Sequence, residues 1–341
     1  MPMHLDAESA CNADTDPAFA PDDLAAETMT AMAVADPGAR GAWRPVDMPI
    51  PAPGRGEVLV RVLSAGFGHW DVLERAGRLG ASTATDFVSG SEGAGTVVEV
   101  GAGVHHVREG DRVCGLVMTR RPGYGFHAQF TLVDAHHLWR VPAGLPLQQA
   151  AALPVDGGLA MHAVDAALRI APGDALLVFG ASGGIGHMAL QFARLRGARV
   201  LAVASGRDGQ ALAERLGADM AIDGRRHDMA AALRIFAPAG LDAALLTADD
   251  GPIAATAVAA LRPGGRLAWP HGVRPPPARA DIAAVAFGAR AGAEHVHAAC
   301  RAIERGPFHL HLGARLPLSR IAEAVEALEG HHLGRIVLDV P

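Results

Sequence analysis

Residues 178–186 read Val-Phe-Gly-Ala-Ser-Gly-Gly-Ile-Gly, between an apolar run (174–179) and the amphipathic stretch His-Met-Ala-Leu-Gln-Phe-Ala-Arg. A glycine-rich turn that joins a buried strand to a helix leaves the first N–H groups of the helix facing outward, where they can hold a pyrophosphate. Counting back from Gly186 gives Ala181-x-Gly183-x-x-Gly186, a dinucleotide fingerprint with alanine in place of its first glycine. Gly183 permits close approach of backbone to ligand, and Gly186 permits close packing of helix on strand. The expected cofactor-binding residues here are Gly180, Ala181, Ser182, Gly183, Gly184, Ile185 and Gly186. A tight strand-to-helix turn with no ligand is the bland alternative, and the flanking strand and helix weigh against it.

About 20 residues further on, a carboxylate would take the ribose hydroxyls of NAD. The next strand ends instead at Ser205-Gly206-Arg207-Asp208. A hydroxyl donor, a residue without a side chain and a planar cation make a pocket for a phosphate. The cofactor expected is therefore NADPH, held through Ser205 and Arg207. Asp208 stands against this, because it could pair with Arg207 or bind a ribose itself; Arg207 as an ordinary solvated residue is the other alternative.

The elements that must position these residues fall into two groups. From Met29 to about Val155 short strands alternate with turns: 56–66, 93–104, 110–118 and two more within 126–142. Many short strands without long helices between them predict a barrel-like all-β unit. From about 156 strand and helix alternate: strands at 174–180, 198–204, 220–223, 241–247 and 264–270, with helices over about 184–196, 208–216 and 252–261. This is the doubly wound pattern of a parallel sheet. A last helix (319–329) precedes a final strand, 334–340, expected to rejoin the first unit, and 274–280 reads as a surface loop. The expected division is a tail over 1–28, a barrel over 29–155 completed by 290–341, and a cofactor domain over 156–289.

Composition sets the limits. The 341 residues are 50% apolar and 19% charged with net charge −6, which suits a globular chain of two domains and opposes nucleic-acid binding. There is no lysine, so a lysine Schiff base or lysine acid is excluded. Three separated cysteines (Cys11, Cys114, Cys300) offer no disulfide framework and point to a reducing, cytoplasmic setting. No apolar run reaches the roughly 18 residues of a membrane span. Residues 1–28 hold seven acidic side chains and no arginine, so disorder is expected there.

The order of motifs resembles the medium-chain dehydrogenase/reductase superfamily, and within it the zinc-free quinone oxidoreductase branch. The matching stretches are PAPGRGEVLVRVLSAGFGHWD (51–71), GSEGAGTVVEVGAGV (90–104), GDRV (110–113), LLVFGASGGIG (176–186), LRPGGRLA (261–268) and LGRIVLDV (333–340). The resemblance implies an α/β fold, a GroES-like β-barrel domain plus a Rossmann domain, with the active cleft between them, and a homodimer. The departures are informative. Where zinc-dependent members carry G-x-C-H-x-D, this chain has Gly66-Phe67-Gly68-His69-Trp70-Asp71, and their G-H-E becomes Gly90-Ser91-Glu92. Gly68 and Ser91 thus replace ligands, leaving Glu92 and Asp156, two oxygen donors that make a poor zinc site. No metal is expected.

Trp70 occupies the column of the proton-relay hydroxyl, and Leu73 that of a tyrosine in the quinone-reductase branch. Groups to polarise a substrate must come from elsewhere: His69, Ser91 and Asp71 first, then Tyr124 and His127, with Glu92 expected to hold barrel backbone or an arginine. A histidine titrates near neutrality and can give a proton. The function implied is zinc-independent transfer of hydride from NADPH to a small-molecule electron acceptor, a quinone or α,β-unsaturated carbonyl. The alternatives are an enoyl reductase acting on a carrier- or CoA-bound intermediate and a non-catalytic NADP-binding sensor.

Overall fold

The computed structural model describes residues 27–35, 42–78, 87–118, 123–288 and 292–341. The acidic segment over 1–26 and most of the basic stretch at 119–123 lie outside them.

The first half builds two antiparallel sheets. β1 (Thr28–Ala35) pairs β2 (Ala42–Pro49) on one side and, beyond β3 (Glu57–Phe67) and the short helix α1 (His69–Arg75) in sequence, β4 (Phe87–Val88) on the other. The larger sheet adds β5 (Glu92–Val100), β6 (Arg112–Leu116), β7 (Phe130–Asp134) and β8 (Leu138–Arg140). Its centre is β3, an apolar strand buried at most of its positions, which pairs β5 and β7. Two helices lead out of it, α2 (Leu147–Ala150) and α3 (Asp156–His162).

Next come β9 (Ala175–Phe179), α4 (Gly184–Leu195), β10 (Arg199–Ala204), α5 (Gly206–Arg215), β11 (Met220–Asp223), α6 (Met229–Phe236), β12 (Leu241–Leu246), α7 (Gly251–Ala260), β13 (Leu261–Pro270) and β14 (Ala283–Phe287). Their strands form one parallel sheet in the order β11-β10-β9-β12-β13-β14. β9 is buried at all five positions, as the centre of a sheet covered on both faces requires. The order reverses between β9 and β12, and the crevice beyond their carboxyl ends is where such sheets bind ligands. Thr247 ties the two strand ends together, its Oγ1 donating to the Phe179 carbonyl at 2.8 Å.

The chain then runs through α8 (Ala293–Ile303), β15 (Leu312–Pro317), α9 (Ile321–Glu329) and β16 (Arg335–Asp339). α8 packs on α3 and α4, whereas β16 pairs antiparallel with β3 and so returns to the first sheet. One apolar core runs across the junction, joining Cys114, Leu116 and Trp139 of the barrel to Leu153, Met188, Phe192 and Val296. Two elements differ from the sequence expectation. Residues 69–75 form a helix, and 283–287 form an edge strand whose first four residues are exposed.

Candidate functional site

The glycine loop is built as its spacing predicts. After β9 the chain turns at Gly180 (φ +81°) and passes Ala181 and Ser182 to Gly183, the residue before α4. A Cβ on Gly186 would lie 2.1 Å from the Gly180 carbonyl oxygen, so only glycine lets the helix start this close to the strand. No side chain caps α4. The N–H groups of Gly184, Ile185 and Gly186 therefore face the crevice, with the positive end of the helix dipole behind them.

His187, one residue on, is fully buried and fixes this loop from below. Its Nδ1 donates to the Gly183 carbonyl at 2.8 Å, and its Nε2 accepts the His311 N–H at 3.2 Å. Both bonds need the neutral ring, and burial pushes its pKa down to about 4. Gln191, one turn later, holds the backbone of His309 at both its N–H and its carbonyl. Sequence reading missed this clasp, because a histidine inside an amphipathic helix carries no mark of its partners.

At the end of β10, Ser205 precedes α5, and its Oγ is shut away from solvent with no hydrogen-bond partner. An orphaned hydroxyl at a helix start fits a phosphate that the chain would bind there. Arg207 is exposed beside a cavity of about 340 Å³, lined also by Gln210, Glu214, Asp223, Arg226 and His227. Among the described residues Arg207 has no carboxylate partner. Asp223 Oδ1 accepts the N–H groups of Arg225 (3.0 Å) and Gly206 (3.1 Å), which hold its pKa below the usual range, and its Oδ2 lies 3.7 Å from Arg226 Nε. Asp208 turns to His331 instead of Arg207, with Nε2 2.9 Å from its Oδ2.

The barrel side of the cleft is organised around a buried charge cluster. Glu92 begins β5, Asp156 begins α3 and Arg335 begins β16, and all three are buried. Arg335 donates through Nη2 to Glu92 Oε1 and sits with Nη1 3.0 Å from Asp156 Oδ2. Glu92 Oε2 accepts the Val155 N–H at 2.7 Å. Burial pushes the Glu92 carboxyl up to about 7, against the pull of Arg335. Burial opposes the charge of Arg335, but Asp156 and Glu92 more than offset this and raise its pKa. The cluster touches the cofactor loop, since a Cβ on Gly184 would lie 2.0 Å from Asp156 Oδ2 and 2.9 Å from Arg335 Cδ. Glu92 thus holds both barrel backbone and an arginine.

The structure brings two of the three first-ranked candidates to this cluster. Asp71 is buried, accepts the Gly68 N–H at 2.9 Å as the cap of α1, and lies near enough to Arg335 to stabilise its charge. His69, the first residue of α1, keeps part of its ring open to solvent and feels Asp156, Arg335, His332 and Glu329. Desolvation, then His332, lowers its pKa below the ordinary histidine value, so the ring is neutral at pH 7. Ser91 is half-buried at the entry to β5, and its carbonyl accepts the Val117 N–H at 2.8 Å.

Two lower-ranked candidates belong to the barrel interior. Tyr124 is buried and its hydroxyl donates to Glu57 Oε1. His127 is fully buried with Nδ1 2.7 Å from Ser89 Oγ, itself the acceptor of the Trp43 indole N–H. Both are corrected from polarising groups to packing groups with internal partners. Missed altogether was the central place of Arg335, one basic residue opening an apolar strand.

The residues at the zinc columns do not fit a zinc ion. A Cβ on Gly68 would lie 3.2 Å from Arg335 Nη1, so a guanidinium already supplies the positive charge beside that position. Among the described residues no three His, Cys, Asp or Glu side chains converge as metal ligands. No helix among them is long and apolar enough to cross a membrane.

Comparison with known proteins bears on the whole arrangement. The alcohol dehydrogenase GroES-like domain family matches residues 54–143, and the zinc-binding dehydrogenase family matches residues 184–270. An alcohol dehydrogenase of Rhizobium meliloti is 33% identical over 65% of this chain and 71% of its own length. Quinone oxidoreductase-like protein 2 of Bos taurus is 31% identical over 62% of this chain and 59% of its own length. A mycobacterial protein solved in complex with NADPH superposes with a TM-score of 0.77 at 26% identity, covering 91% of this chain and 99% of its own. With a GroES-like barrel, a Rossmann sheet and this glycine loop, the chain belongs to the medium-chain dehydrogenase/reductase superfamily and is an oxidoreductase.

Proposed function

We propose that the chain is a zinc-independent, NADPH-dependent reductase of quinones or α,β-unsaturated carbonyls. The observation that carries this reading is the Arg335 guanidinium beside Gly68, where a zinc-dependent relative would present a thiolate. Without a metal and without a relay hydroxyl at Trp70, an alcohol meets neither an electrophile nor a base. Reduction of a conjugated acceptor is less demanding, because charge spreads onto an oxygen that water or a neutral donor can support.

The bound nicotinamide supplies the hydride. The chain's own residues do the rest. The N–H groups at the start of α4 hold the pyrophosphate, and Ser205 Oγ and Arg207 take the 2′-phosphate. His69, neutral at pH 7, presents a ring N–H at the cleft, and Ser91 a hydroxyl. The Arg335 cluster keeps α3, β5 and β16 fixed against the loop. A carrier- or CoA-bound enoyl thioester offers the same electrophile and falls within this chemistry. The name of the bovine relative and the NADPH bound by the mycobacterial neighbour support the reading. A homodimer is proposed through β14, which among the described residues pairs only with β13 and leaves its other edge open.

Two results are expected. In fluorescence titration, NADPH binds at least about tenfold tighter than NADH, since one lost charge-assisted contact is worth about 1.5–3 kcal/mol. Arg207→Ala narrows that gap, and equal affinities for the unmutated protein would overturn the cofactor assignment. Metal analysis should find no stoichiometric zinc, and a chelator should leave activity unchanged. One zinc per chain with activity lost on chelation would refute the metal-free reading.

A further inference from the structure

The turn after β10 carries a carboxylate where a cofactor phosphate would meet it. Asp208 lies in the first turn of α5 and folds back over Gly206, one oxygen 2.6 Å from where a Cβ on that residue would stand. The same oxygen accepts the Gly209 N–H at 2.9 Å. A carboxylate so placed binds ribose hydroxyls well and repels a 2′-phosphate. Yet the adjoining Ser205 Oγ is unpartnered and Arg207 is open, an arrangement that otherwise suits the phosphate.

His331 resolves the conflict. Its Nε2 donates to the Asp208 carboxylate, at 2.9 Å from Oδ2 and 3.2 Å from Oδ1. The residue does not belong to the Rossmann sheet. It lies on the strap between α9 and β16, the segment that completes the barrel sheet. That strap is pinned at the glycine loop, where the Gly334 N–H donates to the Ser182 carbonyl at 2.7 Å, and at His311, whose carbonyl accepts the Arg335 N–H at 2.9 Å. Of the carboxylates at the cavity beside Arg207, Asp223 accepts two backbone N–H groups at Oδ1 and Glu214 accepts the Gln210 side-chain amide at 3.0 Å. The strap therefore reaches the turn after β10 and engages the carboxylate that stands in the first turn of α5.

We infer that His331 is a specificity-determining residue: by engaging Asp208 from the barrel side, it lets Ser205 and Arg207 select the phosphate-bearing cofactor. This rests on the NADPH reading above. It also makes cofactor choice depend on the seating of the barrel-completing segment against the Rossmann domain.

The test measures dissociation constants for NADPH and NADH by fluorescence titration of the full chain. Four proteins are compared: unmutated, His331→Ala, Asp208→Asn and the double variant. His331→Ala should lower the NADPH-over-NADH preference about fivefold, the scale of losing one hydrogen bond. The loss should fall on NADPH. Asp208→Asn should keep the preference, and the double variant should recover it, which loss of strap structure alone would not allow. A preference unchanged in His331→Ala overturns the inference and leaves the cofactor reading standing, as does a preference lost in His331→Ala and not recovered in the double variant. No preference in the unmutated protein overturns the cofactor reading itself, and the inference with it.

Discussion

Arg335→Leu should cost the fold about 3–5 kcal/mol at pH 8, the range for removing one partner of a buried ion pair. Arg335 is 6% exposed, and its guanidinium faces the carboxylates of Glu92 and Asp156, with Asp71 close by. Without it, carboxylates that have no route to water must lose their charge or separate. Glu92 already leans toward protonation, its pKa pushed up to about 7 by burial from an ordinary 4.5. A group with a raised folded-state pKa contributes stability that is fully present below its unfolded value and lost as the pH rises through its folded value. The Glu92 contribution is therefore whole below about 4.5 and gone above about 7. The Arg335→Leu deficit should accordingly be smaller at pH 5.5 than at pH 8, and Arg335→Lys should restore part of it. Urea unfolding at the two pH values measures this. Equal stability of Arg335→Leu and the unmutated chain at pH 8 would remove the cluster from the account of the fold.

The second large effect belongs to His187 and has the opposite sign. Its ring is buried neutral between the Gly183 carbonyl and the His311 N–H, and its pKa falls from 6.5 to about 4. The stability it contributes is present above about 6.5 and lost as the pH falls through about 4. At 1.36 kcal/mol per pKa unit, the acid-dependent loss is about 3 kcal/mol. His187→Gln, which keeps a donor and an acceptor but does not titrate, should flatten the fall in stability between pH 7 and pH 4. Because the ring supports the Gly183 carbonyl, the same acidification should weaken cofactor binding in the unmutated chain more than in the variant. Identical acid limbs for the two proteins would show that the ring is not held neutral.

What could be read from the sequence divides along physical lines. The centre of the parallel sheet was legible because strands such as β9 and β10 are continuous apolar runs followed by a helical period, and the last strand, β16, pairs with β3 of the barrel. The glycine loop was legible because Gly186 has no substitute at 2.1 Å from a carbonyl oxygen. Helix α1 was not, since seven residues after Gly68 in a strand-rich stretch leave too short a period to see. Edge strand β14 was not, since Ala283–Ala286 are exposed and show no alternation. Tyr124 and His127 carry the right chemistry, but the side of the barrel wall they face is set by pairing that sequence spacing does not reveal. Arg335 was hidden most deeply. Its partner Glu92 is 243 positions away, and only the closing of the barrel by β16 brings them together.

The central claim is reduction without a metal, and one assay addresses it directly. Chelator-treated protein, shown by metal analysis to be zinc-free, is mixed with NADPH and a simple quinone or enone, and separately with NADP and primary or secondary alcohols. The account predicts NADPH consumption in the first mixture and no measurable NADP reduction in the second. Robust alcohol oxidation by the metal-free protein, with quinones and enones inert, would contradict it.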